Sequence, residues 1–181
     1  MATAIYAATV TNRPEANIVL TGFMGTGKTT VGRILADALG FDFVDTDQLI
    51  ETDNGPIPVI FAEQGEAAFR AIEHSVASDL AERQRTVIAT GGRLMLDPEN
   101  AAALGATGRV FCLAAPVAAI LERVLDDGTT HRPLLDGDDP AVRITELLTI
   151  RAEAYGRFEQ IETADLTPEE IATEIIDRIE D

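Results

Sequence analysis

The sequence predicts an α/β fold in which helices cover both faces of a five-stranded parallel sheet. Short apolar runs alternate with longer segments of helical periodicity, and polar residues suited to chemistry directly follow three of the apolar runs. Strands that alternate with helices form parallel sheets, and ligands of such sheets bind beyond the carboxyl ends of the strands. We therefore expect a three-layer domain with its binding crevice at that edge.

The first polar segment, residues 22–29, reads G-F-M-G-T-G-K-T and matches the phosphate-loop pattern G-x-x-x-x-G-K-[ST]. It lies between a predicted strand at 17–20 and a predicted helix at 28–39, which is the context the pattern requires. Glycines let backbone N–H groups face phosphate oxygens, and the helix start adds the positive end of its dipole. We predict a nucleoside-triphosphate site whose contacts are Gly22, Met24, Gly25, Thr26, Gly27, Lys28, Thr29 and Thr30.

The remaining elements follow from turn signals and apolar periodicity. Gly40 ends the first helix, Asp97-Pro98 begins a later one, and the capping box at 167–170 begins the last. Glycine and aspartate dominate residues 127–140, which show no apolar period. The predicted strands are 41–44, 86–89, 109–113 and 158–163, and the predicted helices are 48–52, 57–64, 66–83, 98–104, 116–125, 141–157 and 168–179.

Composition narrows the possible partners. The chain has 31 acidic and 14 basic residues, for a net charge of −17, which argues against nucleic acid as a ligand. No apolar run approaches a membrane span, and residues 1–15 read as a polar tail rather than a signal peptide. We expect a cytoplasmic monomer with a single domain at 16–181. Lys28 is the only lysine, so the chain keeps its one compact ammonium in the phosphate loop.

Acidic and basic residues outside the loop allow two readings. Asp45 and Asp47 follow the second strand and could divide Mg²⁺ binding and acceptor binding between them, or form a helix N-cap with a solvated neighbour. Arg70 could bind a substrate carboxylate, or pair with Glu66 or Glu73 on its own helix.

These motifs together resemble the shikimate kinase family, over roughly residues 17–155. They are G-F-M-G-T-G-K-T-T-V-G-R-x-L-A, D-T-D, F-x-E-Q-G-E-x-x-F-R-x-x-E, T-G-G, R-P-L-L and R-x-x-x-Y, and they occur in the family's order and at its spacing. The resemblance implies a P-loop kinase fold with a mobile lid at about 127–140. It also implies Mg²⁺-dependent transfer of the γ-phosphoryl of ATP to the 3-hydroxyl of shikimate.

The resemblance also implies roles for single residues. Lys28 stabilises phosphates, Thr29 and Asp45 hold Mg²⁺, and Asp47 binds substrate hydroxyls and takes the proton of the attacking one. The residues that would bind the substrate carboxylate are Arg70 and Arg151, those that would approach its ring are Gly91 and Gly92, and the lid residue that would close over ATP is Arg132.

The sequence departs from the family's pattern at Arg93 and in the lid, among other places. Arg93 stands where the family usually has a third glycine, so it either points away from the ring or favours an acceptor with a second anionic group. A different small polyol acid is therefore an alternative acceptor, and a nucleotide-binding regulator without turnover is a further alternative function. The lid lacks a basic residue often found before R-P-L-L, and Arg123 could either substitute for it or pack on the surface.

Overall fold

The computed structural model describes residues 15–126 and 139–180, and within them it contains a five-stranded sheet. The strands are β1 (Asn17–Gly22), β2 (Asp42–Asp45), β3 (Thr86–Ala89), β4 (Gly108–Ala114) and β5 (Glu159–Glu162). The helices are α1 (Lys28–Leu39), α2 (Thr46–Asn54), α3 (Ile57–Ala81), α4 (Pro98–Thr107), α5 (Val117–Asp126), α6 (Pro140–Tyr155) and α7 (Pro168–Glu180), with a short 3₁₀ turn at Leu94–Leu96.

The sheet has the strand order β2-β3-β1-β4-β5, and every pair of neighbours is parallel. β1 is central, so the loop that follows it opens at the middle of the carboxyl edge. The register places Ala89 at the end of β3 beside both Leu20 and Asp45. The three polar segments after β1, β2 and β3 are therefore neighbours at one edge, as the sequence predicted.

Three groups of buried side chains attach the helices to the sheet. On one face α1 and α7 pack together through residues such as Leu35 and Ile175. On the other face α2, α3 and α4 cover β1 and β3, with Leu80 and Leu104 buried. A third cluster joins α5 and α6 to β4 around the buried Cys112. Helices therefore cover both faces, which confirms the predicted α/β fold.

Local signals predicted most element boundaries to within two residues. Gly65 interrupts α3 with φ 82° and ψ 174°, so the segment is two helices, as predicted from the 57–64 and 66–83 patterns. The capping box is present, because Thr167 N donates to Glu170 Oε2 at 2.8 Å and Glu170 N donates to Thr167 Oγ1 at 3.2 Å. α2 begins earlier than predicted, at Thr46, because the carboxylate of Asp45 caps it.

Some predicted segments fall largely outside the described residues. The predicted tail at 1–15 lies there except for Glu15, whose carbonyl accepts a hydrogen bond from Arg85 N at 3.0 Å. The predicted lid at 127–140 lies there except for its last two residues. Asp139 caps α6 and Pro140 is its first residue, so these two belong to the helix. In the part of the chain that is described, no helix has the length and apolarity needed to cross a membrane.

Gly22→Ala should destabilise the fold strongly. Gly22 has φ 131°, and a Cβ there would overlap the carbonyl oxygen of Leu113 on β4. Backbone strain and overlap together should lower the free energy of unfolding by about 3 kcal/mol or more, measured by urea denaturation. Gly55→Ala is the matched control, because Gly55 also has positive φ but its Cβ would meet no atom within 4 Å. Equal losses in the two variants would contradict the overlap.

Candidate active site

The carboxyl edge of the sheet carries a cleft of about 370 Å³ at the phosphate loop. Its walls come from the segments after β1, β2 and β3, the three that the sequence predicted to meet. The lining residues are Met24, Gly25, Gly27, Lys28, Thr29, Thr30, Asp45, Asp47, Thr90, Gly91 and Gly92. Of these, only Thr90 was not among the predicted site residues. The other two predicted loop contacts, Gly22 and Thr26, are buried beneath the cleft.

Lys28 is held over the phosphate loop by the loop's own carbonyls. Its Nζ donates to Gly22 O at 2.9 Å and to Phe23 O at 2.8 Å. Thr26 tightens the same turn, because its Oγ1 donates to Phe23 O at 2.8 Å. A compact ammonium fixed at the mouth of a glycine-rich loop is suited to neutralise phosphate oxygens.

Thr29 and Asp45 present oxygen atoms together at the cleft. Thr29 Oγ1 donates to Asp45 Oδ2 at 2.7 Å, so a hydroxyl and a carboxylate face one point. The other oxygen of Asp45 caps α2 by accepting from Asp47 N at 3.1 Å and Gln48 N at 3.3 Å, which fixes the carboxylate. Mg²⁺ is bound in kinases by one or two protein oxygens together with substrate phosphates. These two residues therefore fit a Mg²⁺ site.

Asp47 has a raised pKa. It is open to the cleft, but protein atoms surround its carboxylate, and this loss of solvation is the main cause that raises its pKa to about 6. The negative charge of Asp45 raises the pKa further, while Lys28 partly offsets the two effects. The Asp47 carboxylate is thus mostly ionised at neutral pH and close to the range in which it can accept a proton.

Two backbone groups of the T-G-G segment are anchored by side chains from other elements. Gly91 N donates to the buried Thr46 Oγ1 at 2.8 Å. A Cβ at Gly91 would overlap the carboxylate of Asp47, so any larger residue there would displace that side chain from its present position. Gly92 O accepts a 2.7 Å hydrogen bond from the Tyr155 hydroxyl, which burial keeps protonated by raising its pKa.

Arg151 brings a buried positive charge to the same place. The residue is only 6% exposed, its Nη1 lies 3.4 Å from Gly92 O, and its guanidinium lies 5.3 Å from the centre of the Phe23 ring. Among residues 15–126 and 139–180, no carboxylate forms a salt bridge with it. A buried cation that lacks a protein carboxylate is costly unless an anionic ligand pairs with it.

Arg70 is held by both acidic residues that the sequence offered as partners. Its Nη1 donates to Glu73 Oε2 in a very short contact, and its Nη2 lies 3.1 Å from Glu66 Oε1. The Glu73 side chain is 4% exposed, and burial raises its pKa although Arg70 opposes the shift. Arg70 is ion-paired and is not among the residues that line the cleft.

Comparison with known proteins settles the family. The sequence model of the shikimate kinase family matches residues 24–180. The chain belongs to the shikimate kinase family. The shikimate kinase of Thermodesulfovibrio yellowstonii is 48% identical over 166 residues, which is 91% of this chain and 95% of that protein. Membership in this family makes the chain an ATP-dependent kinase that transfers a phosphoryl group.

Solved structures of shikimate kinases have the same fold. The enzyme from Acinetobacter baumannii, in complex with shikimate, superposes with a TM-score of 0.83 at 40% identity, covering 91% of this chain and 92% of that chain. The enzyme from Bacteroides thetaiotaomicron has a TM-score of 0.82 at 30% identity and covers 91% of this chain and 98% of that one. The predicted P-loop kinase fold is confirmed. Arg132, predicted to close over ATP in such a kinase, lies outside the described residues.

The positions that depart from the shikimate kinase pattern have clear contacts. Arg93 Nη1 lies 3.0 Å from Glu66 Oε1, and Arg93 is not among the described residues that line the cleft. Arg123 bridges the phosphate loop to the segment after β5. Its Nη1 donates to Thr163 Oγ1 at 3.0 Å and lies 3.4 Å from Gly25 O, and its Nη2 donates to Thr163 O at 2.6 Å.

Sequence reasoning missed three supporting residues of this shikimate kinase site. Thr46 anchors Gly91, Tyr155 holds Gly92, and Thr90 lines the cleft while its Oγ1 donates to Leu20 O at 3.0 Å. All three stand inside quoted motifs, which are D-T-D, T-G-G and R-x-x-x-Y. Their signal was therefore present, but the partners of Thr46, Thr90 and Tyr155 lie 45, 70 and 63 residues away.

Proposed function

We propose that this kinase transfers the γ-phosphoryl group of ATP to the 3-hydroxyl of shikimate. The observation that carries the proposal is that three groups meet at Gly91 and Gly92. They are the phosphate loop, the Asp47 carboxylate with its raised pKa and the buried guanidinium of Arg151. A polyhydroxy acid that is to be phosphorylated needs a bound phosphoryl donor, a group that takes the proton of its hydroxyl and a cation that binds its carboxylate. The relative from Acinetobacter baumannii, whose structure is a complex with shikimate, supports this acceptor.

On the donor side, the loop residues and Lys28 bind the phosphates. The Lys28 ammonium, already fixed by Gly22 O and Phe23 O, neutralises charge that grows on the transferred group. Thr29 and Asp45 would hold Mg²⁺, which supplies charge neutralisation and orientation of the phosphates. We also assign to ATP binding the predicted lid residue Arg132.

On the acceptor side, each group has one task. Arg151 and Arg70 bind the carboxylate of the acceptor, and Gly91 and Gly92 let its ring approach the backbone. Asp47 accepts a hydrogen bond from the hydroxyl that attacks and takes its proton as the phosphoryl group is transferred. Phosphoryl transfer depends mostly on positioning and neutralisation, and the cleft supplies both.

A coupled assay of ADP release tests the proposal. We expect ADP release that depends on shikimate and on Mg²⁺, stops when EDTA is added, and yields shikimate 3-phosphate by ³¹P and ¹H NMR. Quinate, which has a saturated ring, and gluconate, which is an open chain, serve as acceptors with a carboxylate but a different carbon skeleton. ADP release with one of these and none with shikimate would overturn the proposal. Arg93 is the residue that would favour an acceptor with a second anionic group. It is paired with Glu66 and is not among the described residues that line the cleft.

We propose further that residues 16–181 form one kinase domain with its lid at about 127–140. We infer that it works as a monomer in the cytoplasm, where ATP is available. The single sheet that runs through the described residues supports the domain boundary. A dimer mass in size-exclusion chromatography with light scattering would contradict the monomer.

A further inference from the structure

Glu66 connects two arginines near the proposed acceptor site. One of its oxygens, Oε1, lies 3.0 Å from Arg93 Nη1, 3.1 Å from Arg70 Nη2 and 3.3 Å from Arg70 Nε. The two cations therefore share one carboxylate oxygen. Glu66 stands on the first turn after the break at Gly65, and Arg93 directly follows Gly92, whose carbonyl accepts from Tyr155 and Arg151.

The two ion pairs of Arg70 differ in how easily they exchange. Glu73 is 4% exposed in its side chain and holds Nη1 of Arg70 from the buried side. Glu66 is 56% exposed and takes the Nε and Nη2 donors, which form one edge of the guanidinium. A bidentate pair with a ligand carboxylate needs two parallel N–H donors on one edge. A ligand that approaches the Nε and Nη2 edge of Arg70 must therefore displace Glu66.

If the ligand displaced Glu66 from Arg70, the Glu66 carboxylate would lie beside the carboxylate of the ligand. Like charges at short range raise the cost of binding unless a cation stays with one of them. Arg93 is already bonded to Glu66 and is half exposed, so it can retain that carboxylate after Arg70 has let go of it. A glycine at position 93 has no side chain that could do so.

We propose that Arg93 is a positioning residue for the acceptor, which it serves by retaining Glu66 while Arg70 turns to the ligand carboxylate. The inference rests on the proposed function, because it takes the ligand to be a carboxylic acid bound by Arg70. It assigns to Arg93 no direct contact with the acceptor. The effect of Arg93 on binding is therefore expected to require Glu66.

A double-mutant cycle over Arg93→Gly and Glu66→Ala tests the inference. Arg93→Gly should raise the KM for shikimate about two- to fivefold, the range set by an exposed ion pair, with kcat changed by less than about twofold. In the Glu66→Ala background the same substitution should change the KM for shikimate by less than about 1.5-fold. Arg93→Lys should restore much of the affinity, because it keeps a cation near Glu66.

Controls separate this role from a general effect on the fold. Arg157→Gly removes an arginine that has the same 50% side-chain exposure as Arg93 and is paired with Glu153 at 3.8 Å. This substitution should leave the KM for shikimate and the KM for ATP unchanged. The KM for ATP should not move in any of these variants. Direct shikimate titration by calorimetry should reproduce the changes in KM.

The outcomes distinguish this inference from the proposed function. Shikimate turnover by the wild type, with an equal Arg93→Gly effect in the presence and absence of Glu66, would overturn the inference alone, because Arg93 would then act on the ligand directly. No effect of Arg93→Gly on shikimate affinity would also overturn it. Absence of shikimate turnover by the wild type would overturn both.

Discussion

Asp47→Asn should abolish most turnover while it leaves ATP binding intact and makes the fold more stable. An asparagine keeps the size of the side chain but cannot accept the proton of the attacking hydroxyl, so kcat should fall by about 10²- to 10⁴-fold. The Kd for ATP should stay within about twofold, because the loop and Lys28 carry that binding. Loss of both turnover and ATP binding would show that Asp47 holds the nucleotide instead.

The pKa of Asp47 fixes the direction of its pH effects. Since the pKa is raised from 3.8 to about 6, kcat of the wild type should fall as the pH drops through 6 and protonates the carboxylate. Between pH 4 and 6 the folded state binds more protons at this site than the unfolded state, so ionised Asp47 costs stability as pH rises.

The stability gain of the asparagine variant follows from the same pKa. After allowance for solvent around this open group, Asp47→Asn should add about 1 kcal/mol at pH 8. That gain corresponds to a Tm higher by about 2–4 °C for a chain of this length, measured by calorimetry. At pH 4 the gain should disappear. Asp53→Asn on the same helix is the control, because Asp53 is exposed and does not line the cleft.

Arg151→Met should nearly eliminate acceptor binding, again without a loss of stability. A desolvated, hydrogen-bonded charge pair with the shikimate carboxylate costs about 2–5 kcal/mol when one partner is removed. The Kd for shikimate should therefore rise by about 30-fold to more than 10³-fold, while the Kd for ATP is unchanged. In the free protein, methionine replaces a 6% exposed cation that forms no salt bridge among the described residues, so the Tm should stay equal or rise.

Arg157→Met provides the matched control for this substitution. Arg157 lies two residues after the same helix, its side chain is 50% exposed and it lies 3.8 Å from Glu153 Oε1. We expect a change of less than about 0.5 kcal/mol in stability and none in shikimate binding. If Arg151→Met lowered the Tm by several degrees with little change in the Kd for shikimate, Arg151 would be a structural residue and its assignment to the acceptor would be wrong.

Local sequence signals were sufficient for the elements and for the donor side of the cleft. The phosphate loop is contiguous, and its strand and helix are each determined by residues within a few positions, so Lys28 and Thr29 could be placed from the sequence. The Asp45 and Asp47 pair shows the limit of such reasoning. The sequence offered a cap or a functional pair as alternatives, whereas one oxygen of Asp45 caps α2 and the other meets Thr29.

Contacts between distant segments could not be predicted in the same way. The pair of Glu66 and Arg93 spans 27 residues and depends on how α3 packs beside the segment after β3. The strand order β2-β3-β1-β4-β5 is also invisible to periodicity, because each strand has the same apolar pattern whichever neighbour it pairs with. The raised pKa of Asp47 depends on the packing that this order creates.

The packing of α7 on α1 makes the phosphate-binding helix depend on a segment that is synthesised much later. Leu35 and Leu39 of the helix that carries Lys28 share one buried cluster with Ile171 and Ile175 of α7. The ribosome synthesises α7 about 130 residues after α1, so the apolar side of α1 cannot pack against α7 during that interval. A nascent chain that stalls before residue 168 therefore exposes an apolar surface to chaperones. Because such a chain lacks the packing of α1 on α7, ATP binding cannot stabilise its fold through that packing.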